Sequence, residues 1–288
     1  MISINQARQL SPSLGREILS LLVFVCQRDL SWLMTHPEYY LSAKQERLFR
    51  TKYKKLEQGF PLAYLCNNQN FYNYRFAVSP AVLIPRPESE IIVEEGLKYA
   101  KQHKDKKISF LDVGTGSGAL IISLASELRK ENKNLYRKSN FLAGDISAPS
   151  LKVATVNSRR YRLTKKIIFR RGDLLQPFAT DLRLMPEMLF ISANLPYLTP
   201  SEAWNEKSIS YEPKLALIGG KDGLSLYRQL LKSLKKILSK DQKFTLIMEI
   251  NPKQSVVLSA FIMRIFSSIN IKKVPDLNGR TRFLKISR

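Results

Sequence analysis

Ile108-Ser-Phe-Leu-Asp-Val-Gly-Thr-Gly-Ser-Gly-Ala-Leu-Ile-Ile122 is the stretch on which the fold turns. An apolar run ends in glycines at alternate positions and passes directly into a helical pattern. That order reads as strand, tight turn and helix, the repeating unit of a doubly wound parallel sheet. Gly114, Gly116 and Gly118, with Thr115 and Ser117 between them, let the backbone turn sharply and approach a ligand where a Cβ would collide. The helix starting near Ala119 offers free N–H groups beside them. No Walker lysine follows, so nucleotide phosphate is not the expected ligand, and a nucleoside cofactor is.

Outward from this unit, strands at about 140–144, 167–170, 187–193 and 244–250 alternate with helices at about 118–130, 148–159, 223–239 and 253–266. The tail, 269–287, reads as a final strand pair turned at Asn278-Gly279. The basic segment 133–139 reads as an added loop. Upstream, 88–101 is helical after the extended Pro80-Ala-Val-Leu-Ile-Pro-Arg-Pro87, and 70–78 alternates bulky and polar residues around a turn at Asn73. From 4 to 57 the apolar spacing is helical, with Ile18, Leu21, Leu22 and Val25, then Leu48, Tyr53 and Leu56, on the buried faces. Breaks fall at 11–13, 36–37 and 59–61. The expected organisation is a helical bundle over 1–68, a β-hairpin linker over 69–86 and an α/β domain over 87–288.

Two carboxylates define the ligand further. Asp145 follows the second strand, where an acid can accept hydrogen bonds from ribose hydroxyls. Asp173, one strand further on and followed by Leu174, can take the exocyclic amine of an adenine. Either alone could be no more than a helix cap; both at successive strand ends favour the nucleoside reading.

The fourth strand runs into Asn194-Leu-Pro-Tyr197. An amide or adenine NH2 is a poor nucleophile because its lone pair is delocalised. Asn194 Oδ1 and the Leu195 carbonyl could each accept one of its N–H groups, aiming the remaining lobe at a methyl donor. Pro196 would stiffen the turn, and Tyr197 would lie on the flat acceptor and exclude water. This chemistry suits S-adenosylmethionine rather than NAD, and it needs no histidine: His36 and His103 lie outside the motifs.

With 288 residues, 44% of them apolar, the chain can bury two cores. Cys26 and Cys66, without paired spacing, encode neither a disulfide framework nor a zinc site, so no metal is expected. The apolar run 18–26 is far shorter than the roughly 20 residues of a membrane span, and nothing frames it as a signal peptide. A cytoplasmic protein without membrane contact is expected. The formal charge of +23 favours anionic partners without naming one. Weak RNA or ribosome contact through the basic surface stays open beside a merely solvated one.

These motifs, with Gly59-Phe-Pro-Leu-Ala-Tyr-Leu65, Val82-Leu-Ile-Pro-Arg-Pro-Glu-Ser-Glu90, Glu212-Pro-Lys-Leu-Ala-Leu-Ile-Gly-Gly-Lys-Asp-Gly-Leu224 and Asp276-Leu-Asn-Gly-Arg280, give a chain that resembles the HemK/PrmC-type protein glutamine N5-methyltransferases. The resemblance implies a helical N-terminal substrate-recognition domain, a linking hairpin and a seven-stranded, Rossmann-like methyltransferase domain with a reversed last strand. It implies S-adenosylmethionine as donor and, as substrate, the glutamine of the Gly-Gly-Gln loop in class I peptide chain release factors. A monomer is expected. On this reading Gly114–Gly118, Asp145, Asp173 and Leu174 contact the donor, with Asn194 at its edge, and Asn194–Tyr197 hold the glutamine.

Departures from the family pattern are Leu195 in place of a proline, Leu174 where an aromatic commonly packs on adenine, and an interval from Asp112 to Asp145 longer than the roughly 20 residues such a unit usually has. The rival readings are an adenine N6-methyltransferase acting on RNA or DNA, and a basic RNA-binding protein on a retired methyltransferase fold.

Overall fold

Short helices fill residues 1–68 of the computed structural model, which describes residues 1–184, 188–239, 241–276 and 278–288. They span Ile4–Arg8, Gly15–Cys26, Leu30–Thr35, Ala43–Glu57 and Leu62–Leu65. The chain divides into two units, residues 1–68 and 69–288. In the first, Ile18, Leu21 and Leu22 are fully buried together with Phe49. Each such side chain contributes about 1.5–3 kcal/mol by leaving water. Leu48, expected inside, is exposed, and its neighbour Phe49 takes the buried position. The sequence also did not mark the break after Cys26, where Gln27 adopts φ 54 and Asp29 Oδ1 accepts the Trp32 N–H at 2.7 Å to start the next helix.

A hairpin of β1 (Asn68–Phe71) and β2 (Tyr74–Ala77), turned at Tyr72-Asn73, begins at the last residue of the first unit and otherwise belongs to the second. Seven strands follow: β3 (Ile108–Val113), β4 (Asn140–Asp145), β5 (Ile167–Arg171), β6 (Met188–Ala193), β7 (Lys243–Glu249), β8 (Asn270–Pro275) and β9 (Thr281–Ser287). Residue 187 of the fourth expected strand and Leu277 beside the tail turn lie outside the described residues. The sheet order is β5-β4-β3-β6-β7-β9-β8. The pairs from β5 to β7 are parallel, whereas β9 runs antiparallel to both β7 and β8. This is the expected α/β architecture with its reversed strand.

All six residues of β3 are buried, as are all six of β6. Helices cover both faces, so alternate side chains enter two different cores. Leu111, Val113, Leu189, Ile191 and Leu246 enter one; Ile108, Phe110, Phe141 and Phe190 enter the other. The switch in strand order lies between β4 and β6, on either side of β3, and it opens a crevice at their carboxyl ends.

Two expectations are corrected. Residues 133–139 are not a loop: Lys133–Lys138 is a helix, because Asn132 Oδ1 accepts the Leu135 N–H at 2.9 Å and Leu135 is buried. The helix expected over 88–101 begins instead as a 3-10 turn, Pro87–Ser89, and continues as Glu90–Gln102. Ahead of it, Glu212 holds the extended segment. Its carboxylate pairs with Arg86 and accepts the Ile84 N–H at 2.9 Å.

Candidate functional site

The loop after β3 is held to β4 by main-chain hydrogen bonds: the N–H groups of Gly114 and Thr115 both donate to the Gly144 carbonyl at 2.9 Å. Below it, Asp112 is fully buried and accepts from two hydroxyls, Thr115 Oγ1 at 2.6 Å and Ser192 Oγ at 2.7 Å. Register explains the second, since Asp112 and Ser192 are opposite each other on β3 and β6. Burial pushes the Asp112 carboxyl up to about 6, against the pull of the two hydroxyls and with a further push from Asp145.

Asp145 closes the loop from the other side. Its Oδ2 accepts the Gly116 N–H at 2.9 Å and its Oδ1 the Ser147 N–H at 2.8 Å. Burial raises its pKa, and the N–H groups of Ser147, Gly116 and Ile146 oppose that rise. Each carboxylate oxygen retains acceptor capacity after one such bond.

A cavity of about 200 Å³ lies above these groups. Gly114, Thr115, Gly116, Ser117, Asp145, Asp173 and Leu174 line it, and so do Asn194, Leu195 and Pro196. The structure therefore brings to one cavity two motifs 80 residues apart. They also touch: a Cβ at Gly114 would stand 2.8 Å from Leu195 Cδ2, and the φ of 73 there favours glycine. Leu174 sits in the left-handed region at φ 46, directly beside Asp173. Phe71 of the hairpin and Ser89 also border the cavity.

Gly118 and Tyr197 do not border it. Gly118 starts the helix Ala119–Glu131. Tyr197, expected over a bound acceptor, instead packs against the core and donates to Glu249 Oε1 at 3.2 Å. Burial and the Glu249 charge raise its pKa far above the ordinary tyrosine value. The reason is chain direction: after Pro196 the backbone runs back to pair with 217–219, with Leu198 N–H donating to Leu217 O at 3.0 Å and Gly219 N–H to Leu198 O at 2.9 Å.

Sequence reasoning missed the groups that hold Asn194–Tyr197 in place. Asn194 Nδ2 donates to Ser89 Oγ at 3.0 Å, and Ser89 Oγ donates to Glu249 Oε2 at 2.5 Å. Leu195 N–H donates to the Tyr227 hydroxyl at 3.1 Å, and that hydroxyl donates to the Glu249 carbonyl. Gln254 Nε2 donates to the Tyr197 carbonyl at 2.8 Å and to Asp222 O at 3.1 Å. Glu249 is fully buried, and desolvation raises its pKa against the pull of Ser89, Arg282 and Tyr197. Glu249 and Gln254 had no local signal beyond standing at and just after the end of a buried strand.

Among the described residues no group of His, Cys, Asp or Glu is placed to hold a metal ion, and no helix is long and apolar enough to cross a membrane.

Comparisons with known proteins bear on the family and the fold. Residues 6–66 match the PrmC N-terminal domain. The release factor glutamine methyltransferase of Bacillus anthracis is 33% identical over 267 residues, covering 91% of this chain and 89% of the relative. That of Dictyoglomus turgidum is 31% identical over 291 residues, covering 98% and 94%. In fold alone, the chain is similar to the hMettl16 catalytic domain solved with the MAT2A 3′UTR hairpin 6, with a TM-score of 0.52, 12% identity and 74% of each chain covered. The resemblance read from the motifs is thus borne out at the level of whole sequences: the chain belongs to the release factor glutamine methyltransferase family.

Proposed function

We propose that this protein transfers a methyl group from S-adenosylmethionine to the side-chain nitrogen of the glutamine in the Gly-Gly-Gln loop of class I peptide chain release factors. The observation that carries this reading is the common cavity of Gly114–Ser117, Asp145 and Asn194–Pro196. The names of the curated relatives supply the substrate. Adenine N6-methylation, which asks the same of an Asn-Leu-Pro-Tyr turn, is not favoured by relatives that match over nearly the whole chain.

The residues present fit the donor. Gly116 lines the cavity at φ 55, and a Cβ there would meet nothing within 4 Å, so the missing side chain leaves ligand space. Asp145 would accept from ribose hydroxyls with the lone pairs its two N–H donors leave free. Asp173 and Leu174 would border the adenine, the leucine offering an aliphatic rather than a stacking face. When bound, S-adenosylmethionine supplies an electrophilic methyl on sulfur.

The chain's own part is to position and polarise the acceptor. Asn194 Oδ1 and the Leu195 carbonyl would each accept one N–H of the glutamine amide, which raises electron density at nitrogen and fixes its remaining lobe. The buried Leu195 and the turn at Pro196 keep these acceptors from relaxing. The proton leaves after transfer, when the nitrogen has become acidic, so no strong base is needed. Tyr197 belongs to the supporting wall and not to the acceptor's surface. Residues 1–68 would recognise the release factor. A cytoplasmic monomer whose basic surface makes weak contact with RNA or the ribosome completes the reading.

The test is to incubate the protein with labelled donor and, separately, a class I release factor and ribosomal RNA, then locate the label. Label on the release factor glutamine is expected, and Asn194→Ala should cut that turnover by about a hundredfold or more with donor affinity largely kept. Label on RNA alone overturns the proposal.

A further inference from the structure

Resting on that reading, we infer that Ser89 and Glu249 are positioning residues: they dictate which end of the Asn194 amide faces the acceptor. An asparagine side chain is nearly symmetric in shape, but its two ends are opposite in hydrogen bonding. An acceptor NH2 needs the oxygen. With the amide reversed, two NH2 groups would confront one another.

For an ionised Glu249 the direction follows by elimination. Ionised, the Glu249 carboxylate can only accept, and both its oxygens are engaged by hydroxyls, Oε2 by Ser89 and Oε1 by Tyr197. A serine hydroxyl has one proton, and the 2.5 Å contact commits it to Glu249. Towards Asn194, Ser89 Oγ can therefore only accept, so the atom 3.0 Å away must be the amide nitrogen. Asn194 Oδ1 is then turned the other way, and it accepts no hydrogen bond among the described residues. The chain Asn194, Ser89, Glu249 passes polarity from a fully buried carboxyl group to a residue that borders the cavity.

Burial makes this chain strict. Ser89 is 2% exposed and Glu249 1%, so water does not compete for either. In such a setting an unmatched donor or acceptor is costly, and the directions of linked hydrogen bonds reinforce one another. The three residues come from three elements: the 3-10 turn Pro87–Ser89, the end of β6 and the end of β7. Ser89 thereby gains a role that the helix start alone does not require.

The experiment uses the full chain, a release factor substrate and S-adenosylmethionine, and compares Ser89→Ala, Ser89→Thr, Glu249→Gln, Asn194→Ala and Ser89→Ala combined with Asn194→Ala. Donor affinity by calorimetry reports that each variant is folded. Ser89→Ala and Glu249→Gln are expected to lose at least about tenfold in kcat with donor Kd within about twofold, and Ser89→Thr, which keeps the hydroxyl, to recover most of it. If Ser89 acts through Asn194, its removal changes the Asn194→Ala rate less than about twofold. A merely structural serine would lower both backgrounds by the same factor, and that result overturns the inference, as does full kcat in Ser89→Ala. Absence of wild-type turnover on the release factor would instead overturn the functional reading and this inference with it.

Discussion

The Tyr227 hydroxyl accepts the backbone N–H of Leu195 at 3.1 Å. Tyr227 stands on the helix Ser225–Ile237, fully buried, and the same hydroxyl donates to the Glu249 carbonyl at the end of β7. One side-chain oxygen thus ties the turn after β6 to the neighbouring strand end. Tyr227→Phe keeps the ring and leaves a buried N–H unpaired. Stability should fall by about 1–3 kcal/mol, measured by denaturant unfolding, because an unmet buried donor costs its desolvation. A loss under about 0.5 kcal/mol would show that the turn does not depend on this bond.

The segment 219–223 supports the same turn from behind, through close backbone approach. A Cβ at Gly223 would stand 2.0 Å from the Tyr197 carbonyl oxygen, and one at Gly219 would stand 2.2 Å from that of Pro196. Backbone cannot step aside as a side chain can. Gly219→Ala and Gly223→Ala are expected to lower Tm and turnover together. Gly116→Ala meets no such obstacle; at φ 55 it costs about 1–2 kcal/mol in backbone strain, and its methyl should weaken donor binding. If all three variants behaved alike in thermal melting and donor titration, the distinction drawn here would fail.

Asp145 carries two tasks, one to the loop and one to the donor. Asp145→Ala removes the partner of the Gly116 N–H as well as the proposed ribose contact, and donor affinity should drop by at least about tenfold, or about 1.4 kcal/mol. Asp145→Asn keeps one acceptor oxygen and should lose less. Calorimetric titration with S-adenosylmethionine decides it; unchanged affinity in Asp145→Ala would remove this residue from the donor site.

Asp112 contributes a pH dependence of unusual sign. Its carboxyl titrates near pH 6 when folded, against an ordinary 3.8. Between those values the folded state holds a proton that the unfolded state has released, so this group's contribution to stability declines as pH rises from about 4 to about 6 and is level above that. The shift corresponds to something on the order of 3 kcal/mol. Subtracting the unfolding free energy of Asp112→Asn from that of the wild type should isolate the effect. A difference that is flat with pH, or that rises from pH 4 to 6, would contradict the cause assigned here.

Much of the fold was legible because its signals are local. The glycine-rich turn after β3 needs only residues within one strand–turn–helix unit. The turn at Asn278-Gly279 is of the same kind, with Gly279 at φ 76. Where the reading erred, burial decided against the local pattern: Phe49 displaced Leu48 inside, and buried Leu135 drew a basic segment into a helix. Tyr197 was assigned to the acceptor on residue type alone; only the tertiary structure shows that its hydroxyl donates to Glu249.

By itself, the sequence determined the strand order, the final strand pair and the two motifs that border the cavity, because each rests on short-range periodicity, turn chemistry or residue type; the family and the reversed last strand followed from the resemblance those motifs carry. Tertiary structure alone decided what stands behind them. Ser89 lies 105 residues from Asn194 and 160 from Glu249, and Tyr227 lies 32 from Leu195. Those side chains meet because β3, β6 and β7 are adjacent in the sheet and end on one side of it, and the pairing of distant strands is a property of how two cores are filled, which no local stretch encodes.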